Sequence, residues 1–419
     1  MKTEQIVITG VGALSSLGLD AATNWENLLK GKSGISDITR FDASQFHTRF
    51  AGEIKDFDPA SIGDRKEIKK MDRLSWYALS VVKEAISQSG IETSGFDRSR
   101  AGVVWASGNG GMETIDHALI EFAHTNGKPA FSPFFQSKAL LDSPSGWIAQ
   151  RHHLTGPNLA TVAACASSNS AIMTAMVYMK AGLCDVMIAG GSEAPITPSV
   201  VGGFGAMKAL ATKNDSPQSA SRPFDAHREG FVLAEGAGAL VLETLSHALK
   251  RNAPILAVLS GCGNANDAGH HTSADIEGKG TAASVNLALE MAGLSISEID
   301  AINPHATSTH NGDLAEYKGY LSVFGDRLAE IPLSATKCMT GHLLGAAGAL
   351  EAVICVKSIQ DQCLSPVINF ETPDPEIEPG KILIPKEALK MEIRHILSHS
   401  AGFGGHNATA VFSRFSKNS

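Results

Sequence analysis

Cys165 stands in Thr161-Val162-Ala163-Ala164-Cys165-Ala166-Ser167-Ser168, where a β-branched run gives way to a small-residue helical pattern. A cysteine at a strand-to-helix turn lies near the positive end of the helix dipole, which favours thiolate over thiol. Such a turn presents the side chain instead of submerging it, as a nucleophile elbow does. A small apolar cysteine is equally at home in a core, so its partners must decide its role. Two histidine motifs lie far downstream. Asn303-Pro304-His305-Ala306-Thr307-Ser308-Thr309 follows an expected strand. Lys337-Cys338-Met339-Thr340-Gly341-His342-Leu343-Leu344-Gly345-Ala346-Ala347-Gly348 is a glycine-flanked turn that opens an alanine-rich helix. Both place an imidazole where a strand ends or a helix begins, which is where α/β folds build their sites. His152-His153 and His270-His271 have no such setting and read as structural residues.

A cysteine, two histidines and a lysine suit Claisen chemistry on thioesters. The thiolate takes an acyl group by transthioesterification. Two neutral imidazoles donate hydrogen bonds to a second thioester carbonyl and stabilise the enolate left when a malonyl group loses carbon dioxide. Gly402-Phe403-Gly404-Gly405 adds a further element. Its glycines let backbone N–H groups approach an oxyanion, and its phenylalanine can shield a thioester from water.

These residues need a scaffold, and the pattern of apolar runs supplies one. Ile6–Gly12 reads as a strand, Leu74–Ser89 as an amphipathic helix, Ala101–Ser107 as a strand and Met112–His124 as a helix. Ala160–Ala164 leads into a helix over Ser168–Gly182, followed by strands Asp185–Ala189 and Gly238–Glu243. The theme repeats with strand Ile255–Cys262, helix Gly280–Ala292, strands Ile299–Pro304 and Ile331–Leu333, helix Leu343–Gln360, and strands Ile396–Ser398 and Ala408–Phe412. Such alternation implies α/β layers around buried sheets. The two halves, 1–252 and 253–419, look like weak structural copies with no linker between them. Pro129–Ser145 and Lys213–Arg228 carry turn formers and charge and read as functional loops.

The bulk numbers narrow the classes. Of 419 residues, 43% are hydrophobic and 19% charged, with 41 glycines, which describes a compact, glycine-punctuated enzyme and not a disordered chain. A net charge of −8 argues against nucleic acid as a partner. Six cysteines without paired metal spacing fit a reducing cytosol. The early apolar run is broken by Gly10, Gly12 and Ser15-Ser16, unlike a signal peptide, and no stretch reaches the roughly twenty apolar residues of a membrane span. The expectation is a soluble cytoplasmic protein with no metal site.

With Cys165 in AACASS, His305 in NPHATST, Lys337 and His342 in TKCMTGHLLGAAG and Phe403 in AGFGG, in that order, the chain resembles the β-ketoacyl-acyl-carrier-protein synthases of the elongating, KAS II type. ITGVGALSSLG at 8–18, AGGSEAPITP at 189–198 and SRPFDAHREGFVLAEGAGALVLE at 221–243 extend the likeness over essentially the whole chain. The resemblance implies a thiolase-like α/β fold of two fused, pseudo-equivalent αβαβα halves, assembled as a homodimer or a heterodimer across the sheet edge near Cys165. It implies that Cys165 is the acylated nucleophile, that His305 and His342 form the decarboxylation pocket, and that Lys337 orders that pocket by hydrogen bonding. The backbone N–H groups of Cys165 and Phe403 would form the oxyanion hole, and Thr307 and Thr309 would hold the phosphopantetheine arm, which the acyl carrier protein supplies in place of a bound cofactor. Asp313 and Glu351 resemble supporting residues. Carrier proteins are acidic, so a local basic patch must steer them to this acidic chain: Arg65, Lys66, Lys69 and Lys70, with Lys128 and Lys208.

Some positions depart from the family pattern. Asn109 and Gln136 stand where fatty-acid members carry apolar residues of the acyl pocket, and Ala401 replaces a phenylalanine beside Phe403. A buried amide without partners costs about 1–3 kcal/mol, a poor match to a saturated tail. These changes tilt the reading toward a specialised polyketide or polyene pathway, with housekeeping fatty-acid elongation as the alternative. His406 for Thr, Ala306 for Gly and Pro304 for Ala are further departures. A non-catalytic chain-length factor, itself a ketosynthase-like partner, would lack the nucleophile that Cys165 provides. A thiolase would carry a second cysteine where this chain has His399-Ser400-Ala401-Gly402.

Overall fold

The computed structural model describes residues 4–378 and 380–416. Among the described residues nine strands form the main sheet: β1 (Ile6–Leu14), β2 (Ala101–Ala106), β3 (Asn158–Thr161), β4 (Val186–Glu193), β5 (Gly236–Thr244), β6 (Ala257–Asn266), β7 (Ala301–Asn303), β8 (His395–Gly402) and β9 (His406–Ser413). Their order across the sheet is β3-β2-β4-β5-β1-β6-β9-β8-β7.

The halves repeat one topology. In the first, β2 runs parallel to β4, which is antiparallel to β5, which is antiparallel to β1. In the second, β7 runs parallel to β8, then β9 and β6 follow antiparallel. Each quartet is visited in the same chain order, and the halves meet where Ile6, Val7 and Ile8 pair with Leu259, Val258 and Ala257. Parallel pairs of this kind need helical crossovers, which cover the sheet faces.

The helices that matter for the site are α1 (Arg73–Ser89), α2 (Met112–His124), α3 (Ser167–Lys180), α4 (Pro198–Ala206), α5 (Lys279–Ala292), α6 (His310–Phe324) and α7 (Ala347–Asp361). α1 packs on β1 and β5, while α5 packs on β6 and β9. Between them α3 and α7 pack against each other, α3 on β2 and β4 and α7 on β5 and β8. The layers therefore run α, β, α, β, α. Gly10 and Gly12 set the spacing at β1, because a Cβ on either would lie 2.0 Å from a carbonyl oxygen of α1. α7 reads apolar on nearly every side, since it lies in the middle layer with almost all its residues buried.

The structure differs from the sequence reading in places. Ile331–Leu333 forms isolated bridges, with Leu333 beside Ile302 and Pro332 beside Leu383, and no strand. α7 begins at Ala347 after a 3₁₀ turn over Leu344–Ala346, four residues later than expected. The 129–145 segment contains a short helix, Phe135–Ala139, and the start of another, Ser143–His152. Among the described residues no helix is long and apolar enough to cross a membrane, and no cluster of three or more His, Cys, Asp or Glu is placed to hold a metal ion.

Candidate active site

Cys165 follows β3 and directly precedes Ala166, the N-cap of α3. The strain of the turn falls on its neighbour, Ala164, whose φ is +49°. His305 leaves the end of β7 on a loop in which Ala306 (φ +36°) and Ser308 (φ +70°) are also left-handed. His342 follows Gly341 and is fastened by its N–H to the Val232 carbonyl at 2.7 Å. The Gly402–Gly405 turn joins β8 to β9 and lies over the nucleophile: a Cβ on Gly402 would sit 2.9 Å from Cys165 N and 2.8 Å from Ala163 O. Only glycine allows that approach, which sets Gly402, the neighbour of Phe403, against the Cys165 backbone.

The four segments converge on one cavity of about 430 Å³, lined by Cys165, His305, Thr307, Thr309, His342, Ala401 and Phe403 among others, with Lys208 also on its wall. The two imidazoles stand edge to face with centroids 5.2 Å apart. Phe231 packs against His342, Phe204 against Phe231, and Phe403 against Phe204, giving the cavity an aromatic wall. Both histidine Nδ1 atoms are buried without a partner, and neither Nε2 bonds to any described residue. With Nε2 protonated, each ring offers its one N–H to a molecule in the cavity.

Burial makes both rings neutral. It drives His305 and His342 well below the ordinary histidine range, and the Lys337 charge pushes them further. Lys337 is itself buried and paired with Glu351. It acts on the histidines through its charge, since its ammonium donates to Glu351 and to neither ring. Burial raises Glu351 to about 7 against the pull of Lys337. The thiol departs from the helix-end expectation. Burial pushes Cys165 up to about 12, with Lys337 pulling it down and Glu193 pushing it up. Desolvation thus outweighs the helix terminus, and the resting group is the thiol.

A second ring of residues holds these segments. Glu316 on α6 accepts the N–H groups of His305 (2.6 Å) and Ala306 (2.7 Å) and the Tyr320 hydroxyl (2.6 Å). Asp313 accepts from Ser308 N (3.1 Å) and Phe224 N (2.9 Å). Arg228, also buried, donates to the carbonyls of Thr309 (3.1 Å) and His310 (2.7 Å) and is paired with Asp374. Glu316 has no local signal in the sequence: it shares the buried face of α6 with Asp313, and nothing nearby in the chain says which backbone N–H groups it will meet. Arg228 and Glu193 lay inside motifs already marked, SRPFDAHREGF and AGGSEAP, without a role.

Other expected residues lie elsewhere. Asn109 is not in the cavity wall; its side-chain amide donates to Glu193 at 3.1 Å, and its backbone N–H donates to the same carboxylate at 3.2 Å. Gln136 is exposed on the short Phe135–Ala139 helix. Neither is an amide buried without a partner, and neither makes the acyl pocket polar. Arg65, Lys66, Lys69 and Lys70 are exposed on and just after the short helix Arg65–Ile68, and Lys128 lines a separate cavity of about 390 Å³ with Arg73, Trp76 and Lys138. His152 is a satisfied structural residue, its Nδ1 2.6 Å from Glu92.

The sequence model of the β-ketoacyl synthase N-terminal domain matches residues 3–248, and that of the C-terminal domain matches residues 256–371. The 3-oxoacyl-[acyl-carrier-protein] synthase 2 of Coxiella burnetii is 43% identical over 417 residues, covering 99% of both chains. The synthase of the same name from Staphylococcus aureus (strain N315) is 41% identical over 414 residues, with 99% of both chains covered. Two solved structures share the fold: the ishigamide ketosynthase/chain length factor (TM-score 0.92, 29% identity, 99% of this chain and 100% of that one), and a ketosynthase bound to the hexaketide in complex with its type II PKS acyl-carrier protein (TM-score 0.91, 28% identity, the same coverage).

Proposed function

The chain belongs to the β-ketoacyl synthase family, whose members are condensing acyltransferases, and we propose that it elongates saturated fatty acyl groups carried on acyl carrier protein, using malonyl-carrier units. The observation that carries the reading is one cavity in which Cys165 faces two imidazoles held neutral.

The Cys165 sulfur attacks the acyl thioester, the carrier's pantetheine sulfur leaves, and the thiol proton goes with it. Malonyl-carrier then enters, and its C–C bond to the carboxylate breaks with release of carbon dioxide. The electron pair passes to the thioester oxygen, where the Nε2–H groups of His305 and His342 stabilise the enolate. The enolate carbon attacks the acyl-Cys165 carbonyl. The resulting oxyanion is stabilised by the backbone N–H groups of Cys165 and Phe403, and it collapses to expel the Cys165 thiolate, which takes a proton from water and returns to the resting thiol. Thr307 and Thr309 would hold the phosphopantetheine arm. The carrier would dock on Arg65, Lys66, Lys69, Lys70, Lys128 and Lys208.

Saturated acyl groups replace the specialised pathway as the favoured cargo. The relatives at 41–43% identity are synthases of the KAS II kind, closer than the polyketide structures at 28–29%. Cys165 also borders an apolar cluster that includes Ile196, Val200, Phe204 and Leu344, a surface suited to an alkyl chain. Dimer formation is proposed at the edge strand β3, whose residues alternate exposed and half-buried and which runs into exposed Val162. The division into 1–252 and 253–419 is retained as a proposal.

The test is intact-protein mass spectrometry of Cys165 loaded from a panel of acyl-carriers. Saturated chains are expected to load best; preferential loading of ketoacyl or polyene chains would return the specialised pathway. Cys165→Ala should abolish condensation and leave malonyl decarboxylation. Retained condensation would overturn the nucleophile.

A further inference from the structure

His399 is buried completely in β8, two residues before Ala401, and does not border the cavity. The mechanism above leaves it unused. Its Nδ1 lies 3.0 Å from the Thr409 hydroxyl on β9, and its Nε2 lies 3.3 Å from the Thr281 hydroxyl on α5. Thr281 in turn lies 3.3 Å from Asn407 Oδ1. The Asn407 amide donates to Asp267 (2.8 Å) and to the Gly405 carbonyl (3.0 Å). The Asp267 N–H then donates to the same Gly405 carbonyl at 2.9 Å, and the Gly404 N–H donates to the His271 carbonyl at 2.6 Å. One arm from His399 thus reaches the glycine turn that carries Phe403.

A second arm runs the other way. The His399 ring stands edge to face with Tyr320, centroids 6.0 Å apart. The Tyr320 hydroxyl donates to Glu316, the carboxylate that holds the His305 and Ala306 N–H groups.

Resting on the condensing-enzyme reading, we propose that His399 is a positioning residue that ties the glycine turn at Phe403 to the backbone cradle of His305. In the tautomer that lets the Thr281 hydroxyl donate to Asn407 Oδ1, His399 Nε2 carries the hydrogen and donates to Thr281, and Nδ1 accepts from Thr409, whose hydroxyl also lies 3.0 Å from that of Ser284. A protonated ring could not accept from Thr409, and burial, aided by the Lys337 charge, holds His399 neutral by lowering it to about 3. A phenylalanine would fill the same space and break both bonds, leaving Thr281 with Asn407 and Thr409 with Ser284 as their remaining side-chain partners.

His399→Phe and His399→Gln in the full chain test this. Phe keeps the ring volume, and Gln restores an amide nitrogen near the Nε2 position. Hydrogen exchange is read on peptides covering 266–271 and 402–407, together with the rate of Cys165 acylation from a saturated acyl-carrier. In His399→Phe, exchange in both segments should quicken and acylation should slow, each by about tenfold, the equivalent of one lost buried hydrogen bond. His399→Gln should recover most of both. Unchanged exchange in His399→Phe, equally faster exchange throughout the main sheet, or a Gln variant as defective as Phe would overturn the proposal. Wild-type protein that takes up no acyl group would instead refute the condensing-enzyme reading, and the exchange measurement would still decide the role of His399.

Discussion

At the scale of the residue, the site depends on two imidazoles that do not titrate near neutrality. Desolvation and the Lys337 charge both disfavour their protonated forms. Both depart downward from the ordinary value near 6.5, so the neutral donors persist as the pH falls through the range where free histidine would charge. Malonyl decarboxylation should therefore show no histidine inflection between about pH 6 and 8. Lys337→Met removes the repelling charge. Protonation of the two rings should move up, and the decarboxylation rate of that variant should fall on the acid side. A flat profile in Lys337→Met would show that burial alone keeps the rings neutral. The thiol follows the same physics with opposite sign, because burial disfavours its anion and raises it to about 12. Iodoacetamide alkylation of Cys165 should accordingly keep accelerating above pH 9, past the range of an ordinary thiol near 8.5.

At the scale of the element, the 305–310 loop shows how a strained segment is held. Its left-handed Ala306 and Ser308 cost about 1–2 kcal/mol each, and neighbouring elements fix them in place. Glu316 and Asp313 bind its N–H groups from α6, while Arg228 binds its carbonyls from the 213–228 segment. Arg228 presents two donors in a fixed fork, which a lysine cannot match. Arg228→Lys should thus displace Thr307 and Thr309 more than the cysteine. Steady-state kinetics should show KM for malonyl-carrier rising several-fold with a smaller change in the rate of Cys165 acylation. Equal losses in both would assign Arg228 to general stability. This clamp was readable in the sequence only as a charged motif in a loop, since no local pattern says which carbonyls a guanidinium will meet.

At the scale of the whole molecule, the proposed function asks an acidic chain to attract an acidic carrier. The net charge of −8 would repel it at long range, so the proposed docking cations, exposed at Arg65, Lys66, Lys69, Lys70, Lys128 and Lys208, would act locally. Attraction between exposed charges is screened over about 8–10 Å at physiological salt. The kcat/KM for carrier-bound acyl groups should fall as salt rises from 0.05 to about 0.5 M. Lys69→Glu with Lys70→Glu should lower it further at low salt and flatten the dependence. An unchanged salt slope in that variant would move the docking surface elsewhere.

The chemistry was legible in the sequence because it rests on residue types at turns. Cys165, His305, His342 and Phe403 each sit where an apolar run stops, and that pattern is local. The strand and helix order followed for the same reason, from hydrophobic periodicity that a short window contains. What only the tertiary structure decided are the quantities that depend on residues far apart in the chain. Asn109 and Gln136 looked alike as polar intrusions, yet one is bound to Glu193 and the other faces outward. Lys337 looked like a partner for the histidines and proved to be a partner of Glu351. Cys165 looked activated by its helix and is instead held as a thiol by burial. Desolvation and hydrogen-bond pairing are properties of packing, and packing joins segments that the sequence keeps hundreds of residues apart.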